Sequence, residues 1–232
     1  VRQMADPNRA ALVDTVSRLN AETWTPLCES LFEAYRYYSG GAVLGGNKGG
    51  SQTPSADAGI TSGSRYVSPM QGCQPQSYVI LITDGEPTRD NSYDSLIRSE
   101  LGLSDSDSFD GSYLAGVAGW LQENDVNDGL QGRQKVVTYT IGFSQGAADA
   151  AALLEETALR GGGQYYAAED ALALQGVGHL GVELHAEEAL LFPAHGGDRA
   201  ARGRGGHGEG VRHFGDLVTV AHPHVQKAAP AV

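Results

Sequence analysis

Apolar positions follow two rhythms along the first 175 residues, and the first is helical. Asp6-Pro7 sets an N-cap residue before a proline suited to the first helical position, and Leu12, Val13, Val16 and Leu19 recur a turn apart, so a helix is expected over 7–19. Thr25-Pro26 repeats the start signal. Leu27, Leu31, Ala34 and Tyr38 then line one face until Gly40-Gly41, which predicts a second helix over 26–38. Tyr78-Val79-Ile80-Leu81-Ile82-Thr83 and Val136-Val137-Thr138-Tyr139-Thr140-Ile141 are continuous apolar and β-branched runs instead, the mark of strands buried on both faces. Helical segments are expected from Tyr113 to Leu121, Ala147 to Leu159 and Glu169 to Leu174, with a short strand from Gln164 to Ala167. The order α-α-β-α-β-α-β-α predicts an α/β fold, a parallel sheet flanked by helices. Residues 41–77, rich in Gly and Ser, form a long loop, and an acidic loop precedes Tyr113.

Composition divides the 232 residues near Gln175. All seven histidines lie beyond it, and from Gly176 onward there is no Ser, Tyr, Asn, Ile, Trp, Met or Cys. Residues 1–175 carry 11 basic against 22 acidic side chains, residues 176–232 only 5 against 6. Apart from Glu183 to Leu191, which could form a short helix, the tail shows no sustained period, so a disordered or irregular segment is expected. Its vocabulary is that of a GC-rich gene read out of frame, and a frameshift after Gln175 is the corresponding hypothesis, decided by sequencing the locus. His222 and His224 alone are closely spaced, far from a closed zinc set. The net charge of −12 sets the mean field against phosphate backbones and anionic lipid, so no nucleic-acid partner is expected. No apolar run approaches the ~18 residues of a bilayer helix. Val1-Arg2-Gln3-Met4 has neither an initiator Met nor a signal pattern, as expected of a piece of a longer chain.

In a parallel α/β sheet, ligands bind beyond the carboxyl ends of the strands. Asp84 stands there, directly after the Tyr78–Thr83 run, and Gly85 lets the backbone turn. Thr25 opens the second helix. A carboxylate and a hydroxyl from separate loops suit a hard divalent cation such as Mg²⁺, while a turn-forming Asp and a plain N-cap Thr are the structural alternatives.

Three segments carry a resemblance: Thr25-Pro26-Leu27 with Glu33-Ala34-Tyr35-Arg36-Tyr37-Tyr38, Tyr78 through Thr83-Asp84-Gly85-Glu86-Pro87-Thr88, and Thr138-Tyr139-Thr140-Ile141-Gly142-Phe143. Together they resemble a von Willebrand factor A-like domain, more narrowly that of the PilY-type proteins associated with the tips of bacterial type IV pili. The resemblance spans roughly Pro7 to Gln175. It implies a partial Rossmann-like sheet with a metal-ion-dependent adhesion site, in which Thr25 matches the second loop's ligand and Asp84 the third's. The implied metal is Mg²⁺, with Ca²⁺ or Mn²⁺ as alternatives, and the implied partners are a host or surface receptor protein and pilus subunits, at the cell surface or fimbrium. A different reading is an intracellular A-type subunit of an AAA ATPase or metal-chelatase system. The family's Asp-x-Ser-x-Ser motif is expected upstream of Val1, since Asp90-Asn91-Ser92-Tyr93-Asp94 and Asp105-Ser106-Asp107-Ser108-Phe109 lack its spacing or final Ser and follow no buried strand. The same omission removes the strand expected beside Tyr78–Thr83, and an unpaired apolar edge predicts poor folding of this chain alone.

Other signals fall short. Gly41 through Lys48 approaches a phosphate loop, but the Lys is misplaced and no strand precedes it. Asp105, Asp107, Asp110 and Gly111 approach a calcium loop out of register, and a solvated acidic loop capped by Asp110 is the simpler expectation. There is no Gly-x-Ser-x-Gly elbow, so no enzyme is expected, and Glu29 and Glu33 read as solvated helix surface. Cys28 and Cys73 are expected to lie beyond the ~7 Å Cα limit of a disulfide, since Cys73 precedes a strand that rises ~20 Å toward the Cys28 end.

Overall fold

The structure, a computed structural model, describes residues 24–44, 58–70, 72, 76–143, 145–169, 186–193 and 217–223. Helix α1 spans Leu27–Ser39. A small ribbon follows, β1 (Thr61–Ser62) against β2 (Arg65–Tyr66), then strand β3 (Gln76–Thr83). Helices α2 (Asp94–Leu101) and α3 (Leu114–Glu123) lead to β4 (Lys135–Phe143), and α4 (Ala151–Arg160) leads to β5 (Gly162–Ala168). Two further strands are β6 (Ala186–Pro193) and β7 (Leu217–Pro223).

The architecture is α/β. Strands β3, β4 and β5 are parallel neighbours, and helices connect them, as parallel strands require. Ser77, Val79, Leu81 and Thr83 of β3 are buried, and α1, α2, α3 and α4 share one core with Val79, Leu81 and Val136. The alternate positions Ile80, Ile82 and Phe143 gather with Ile141 and Tyr166 in a smaller cluster. The arrangement is compatible with a Rossmann-like fold. No helix among the described residues is long and apolar enough to cross a membrane.

Several expectations are corrected. The edge of β3 expected to stay open carries β7, antiparallel, with Tyr78 opposite Ala221 and Ile82 opposite Leu217, and β6 pairs beyond it to give the order β5-β4-β3-β7-β6. The tail therefore contributes two strands, and its 186–193 portion is extended where the apolar residues up to Leu191 read as a short helix. A short segment such as Ala186–Pro193 can take either state, and the hydrogen-bonding edge that β7 presents beyond β3 rewards the strand. Helix α2 was read as acidic loop, yet Leu96, Ile97 and Leu101 repeat at helical spacing and Gly102 closes it in the left-handed region. The expected helices over 7–19 and 169–174 and the 45–57 part of the long loop lie, wholly or nearly so, outside the described residues.

The described part of that loop is packed cover. Glu33, far from solvated, is buried and accepts hydrogen bonds from the Tyr66 hydroxyl at 2.6 Å and the Leu44 N–H at 3.1 Å. Arg36 lies over the Phe32 ring, donates to the Ala42 carbonyl and pairs with Glu100. These contacts explain why α1 is buried on nearly every side: the sheet and α3 take one flank and the 58–70 segment another.

The β4–β5 closure depends on the glycine run after α4. A Cβ on Gly161 would lie 2.7 Å from the Thr138 Cβ, and one on Gly163 only 2.2 Å from the Thr138 carbonyl oxygen. The backbones can meet only without side chains there. Gly163→Ala is therefore expected to destabilise the fold by about 2–4 kcal/mol, read as a lowered urea midpoint; an unchanged midpoint would contradict this packing.

Candidate functional site

Asp84 ends β3 as expected. The buried Thr83 shapes the turn: its hydroxyl donates to the Gly85 carbonyl at 2.8 Å and accepts the Gly85 N–H at 3.2 Å. The loop then runs to Thr88, which is pinned to Thr25 twice. The Thr25 N–H donates to the Thr88 Oγ1 at 2.8 Å, and the Thr88 N–H donates to the Thr25 carbonyl at 3.0 Å. Thr25 and the loop carrying Asp84 thus meet at the carboxyl end of β3. Four residues of chain span at most about 14 Å, which bounds how far Asp84 can stand from the pin. Among the described residues, the Thr25 hydroxyl makes no hydrogen bond.

A second pin follows two residues later. Asp90, only 9% exposed, accepts the Cys28 N–H at 2.7 Å and the Glu29 N–H at 3.4 Å through Oδ1, while its Oδ2 accepts the Ser112 hydroxyl at 3.1 Å. A side chain distant in sequence thus caps α1, whose own flanking residue is Pro26 and makes no side-chain cap. Ser112 also accepts the Leu114 N–H at 3.1 Å, so one hydroxyl joins the starts of α1 and α3. Glu29 reaches the same loop by accepting the Ser92 N–H at 2.7 Å, an exposed contact on the helix surface.

Thr88, Asp90 and Ser112 carry no local signature of these roles. Asp90-Asn91-Ser92 reads as a turn, and a cap that arrives from 62 residues away leaves no trace in the helix's own sequence.

Beneath the pins sits Cys28, a free and buried thiol. Burial pushes it well above the ordinary thiol range, and Asp90, Asp94 and Glu29 push it further, so it is a packing residue and a poor nucleophile. Cys73 lies outside the described residues. The calcium-like segment is occupied by protein partners. Asp105 pairs with Arg98 at 3.1 Å, and Asp107 accepts from the Ser104 N–H and hydroxyl, which holds its carboxyl below the usual range. Asp110 and Gly111 are the positive-φ residues of a tight turn between Phe109 and Ser112, and Ser112 rather than Asp110 serves the helix start.

As a metal centre, Thr25 and Asp84 offer one hydroxyl and one carboxylate. That is compatible with a Mg²⁺ that keeps most of its octahedral shell for water or a partner. No group of three or more His, Cys, Asp or Glu that could hold a metal occurs among the described residues. A groove of about 520 Å³ between α4 and β5, lined by Phe109, Leu159 and Tyr165, shares no residue with this end of the sheet. Compared with known proteins, the chain matches no family model, no curated protein and no solved structure.

Asp90 gives the site a pH signature. Burial pushes its carboxyl up to about 8 against the lowering effect of the Cys28 and Glu29 N–H groups and the Ser112 hydroxyl. Its unfolded value is about 4, so the folded chain holds a proton there that the unfolded chain has released. Its contribution is complete below pH about 4 and is lost as pH rises through about 8. Asp90→Asn keeps a carbonyl acceptor and cannot ionise. Urea midpoints between pH 5 and 9 are expected to fall for the native chain and to fall much less for this variant; equal slopes would exclude Asp90 as the source.

Proposed function

We propose that this chain is part of an adhesive A-type domain of a pilus-tip or pilus-assembly protein, binding its partner through a divalent cation at the carboxyl end of β3. The observation that carries the reading is the double hydrogen bond between Thr25 and Thr88, which brings the loop of Asp84 to the hydroxyl with which the resemblance pairs it. Thr25 and Asp84 would hold the ion, and the ion would offer positive charge and open coordination positions to a carboxylate of a surface receptor or pilus subunit. Such a bridge makes and breaks no covalent bond. Its rationale is electrostatic: in a chain of net charge −12, a bound dication locally reverses the sign that an acidic partner meets.

Two protein oxygens predict weak intrinsic affinity, on the order of millimolar. At 10 mM Mg²⁺ the linkage stabilises the folded chain by about 1.4 kcal/mol, a rise of roughly 3–6 °C in Tm. The control is NaCl at matched ionic strength. Thr25→Ala and Asp84→Ala should each abolish the rise. An absent Mg²⁺ effect in the native chain, or one that survives both substitutions, would refute the proposal.

A further inference from the structure

Between the two pins lies Arg89, whose φ of 50° puts a bulky side chain in the left-handed region. That backbone costs an ordinary residue roughly 1–2 kcal/mol and persists where the surroundings over-determine it. Here they do. Thr88 is fixed to Thr25 on one side and Asp90 to Cys28 on the other, so the residue between must accept whatever backbone joins them. Glycine would take this position without strain. The chain carries arginine instead, and the guanidinium lies 4.1 Å from the centroid of the Trp24 ring, which is itself 38% exposed. Stacking covers one face of the guanidinium and leaves its rim of N–H donors to other partners. Arg36, Arg98 and Arg160 each pair with a carboxylate, but among the described residues Arg89 has none within ion-pair distance. An arginine held in place over an aromatic ring, next to Thr25 and with no carboxylate partner among the described residues, is equipped for an external anion. Its planar fork matches a carboxylate.

We propose that Arg89, presented on Trp24, receives a carboxylate of an acidic peptide segment in the partner protein, beside the one that completes the cation's shell. The inference rests on the cation-bridge reading for the second carboxylate and stands on the Arg89–Trp24 geometry for the first. It makes the ligand an Asp/Glu-bearing segment with two acidic side chains, and it assigns Arg89 a specificity role that the strained backbone serves.

The test uses the full chain and a fluorescein-labelled peptide, Gly-Asp-Gly-Glu-Gly, followed by anisotropy in 10 mM Mg²⁺ and again with excess EDTA. Arg89→Gly is the informative variant, because it relieves the backbone strain while removing the guanidinium. We expect its Tm to match or exceed that of the native chain, its affinity for the peptide to fall about tenfold or more, and its residual binding to remain EDTA-sensitive. Arg89→Lys should recover part of the loss. Undiminished peptide binding by Arg89→Gly, whether or not its Tm falls, would overturn the inference and leave the cation bridge standing. Binding by the native chain that ignores EDTA yet weakens tenfold in Arg89→Gly would support the Arg89 site and refute the bridge. No peptide binding by the native chain would overturn both.

Discussion

The start of α1 is the constraint on which the rest of this molecule turns. A helix that begins after Thr25-Pro26 has free N–H groups at its first turn, and burial denies them water. The Asp90 carboxyl group supplies the missing acceptor from the loop that follows β3, and Thr88 fastens the same loop to Thr25. Through these contacts a helix, the central strand and the start of α3 share one junction. The junction fastens the loop that carries Asp84 to Thr25 at the sheet's carboxyl end and holds the exposed Arg89 in a conformation it would not choose alone.

The sheet shows how one strand can organise a chain of mixed composition. Strand β3 pairs with β4 on one side in parallel and with β7 on the other in antiparallel fashion, and so joins the 76–168 region to the tail. Antiparallel strands at the margin of a parallel sheet are common in large α/β sheets, since they close an otherwise reactive edge. The tight approach of β5 to β4 follows from Gly161 and Gly163, whose missing side chains leave room for Thr138.

Much of the interior was legible because burial writes itself into periodicity. The runs from Tyr78 and from Val136 became β3 and β4 with ends shifted by two residues at most, and Leu27, Leu31, Ala34 and Tyr38 line a helix that starts and stops where Pro26 and Gly40 indicated. Where polar residues do structural work, the sequence misled. Glu33 looks like solvent-facing helix and is a buried acceptor for Tyr66; Asp90 looks like a turn residue and is a cap for a distant helix. Strands β6 and β7 were missed because their edge partner, not their own pattern, decides their state. Of the proposed site, the placement of Thr25 before α1 and of Asp84 after β3 could be named in advance because each abuts a strong element boundary. Arg89 could not, since left-handed backbone at arginine has no sequence signal.

The central claim is that the Thr25–Thr88 pin and the β3 end form one cation pocket. The most direct measurement is paramagnetic broadening of backbone amide signals by substoichiometric Mn²⁺. The account predicts selective loss of the Thr25, Asp84 and Gly85 resonances, reversed by excess Mg²⁺. Broadening centred on Asp105 and Asp107, or spread evenly over the acidic surface with Thr25 untouched, would contradict it.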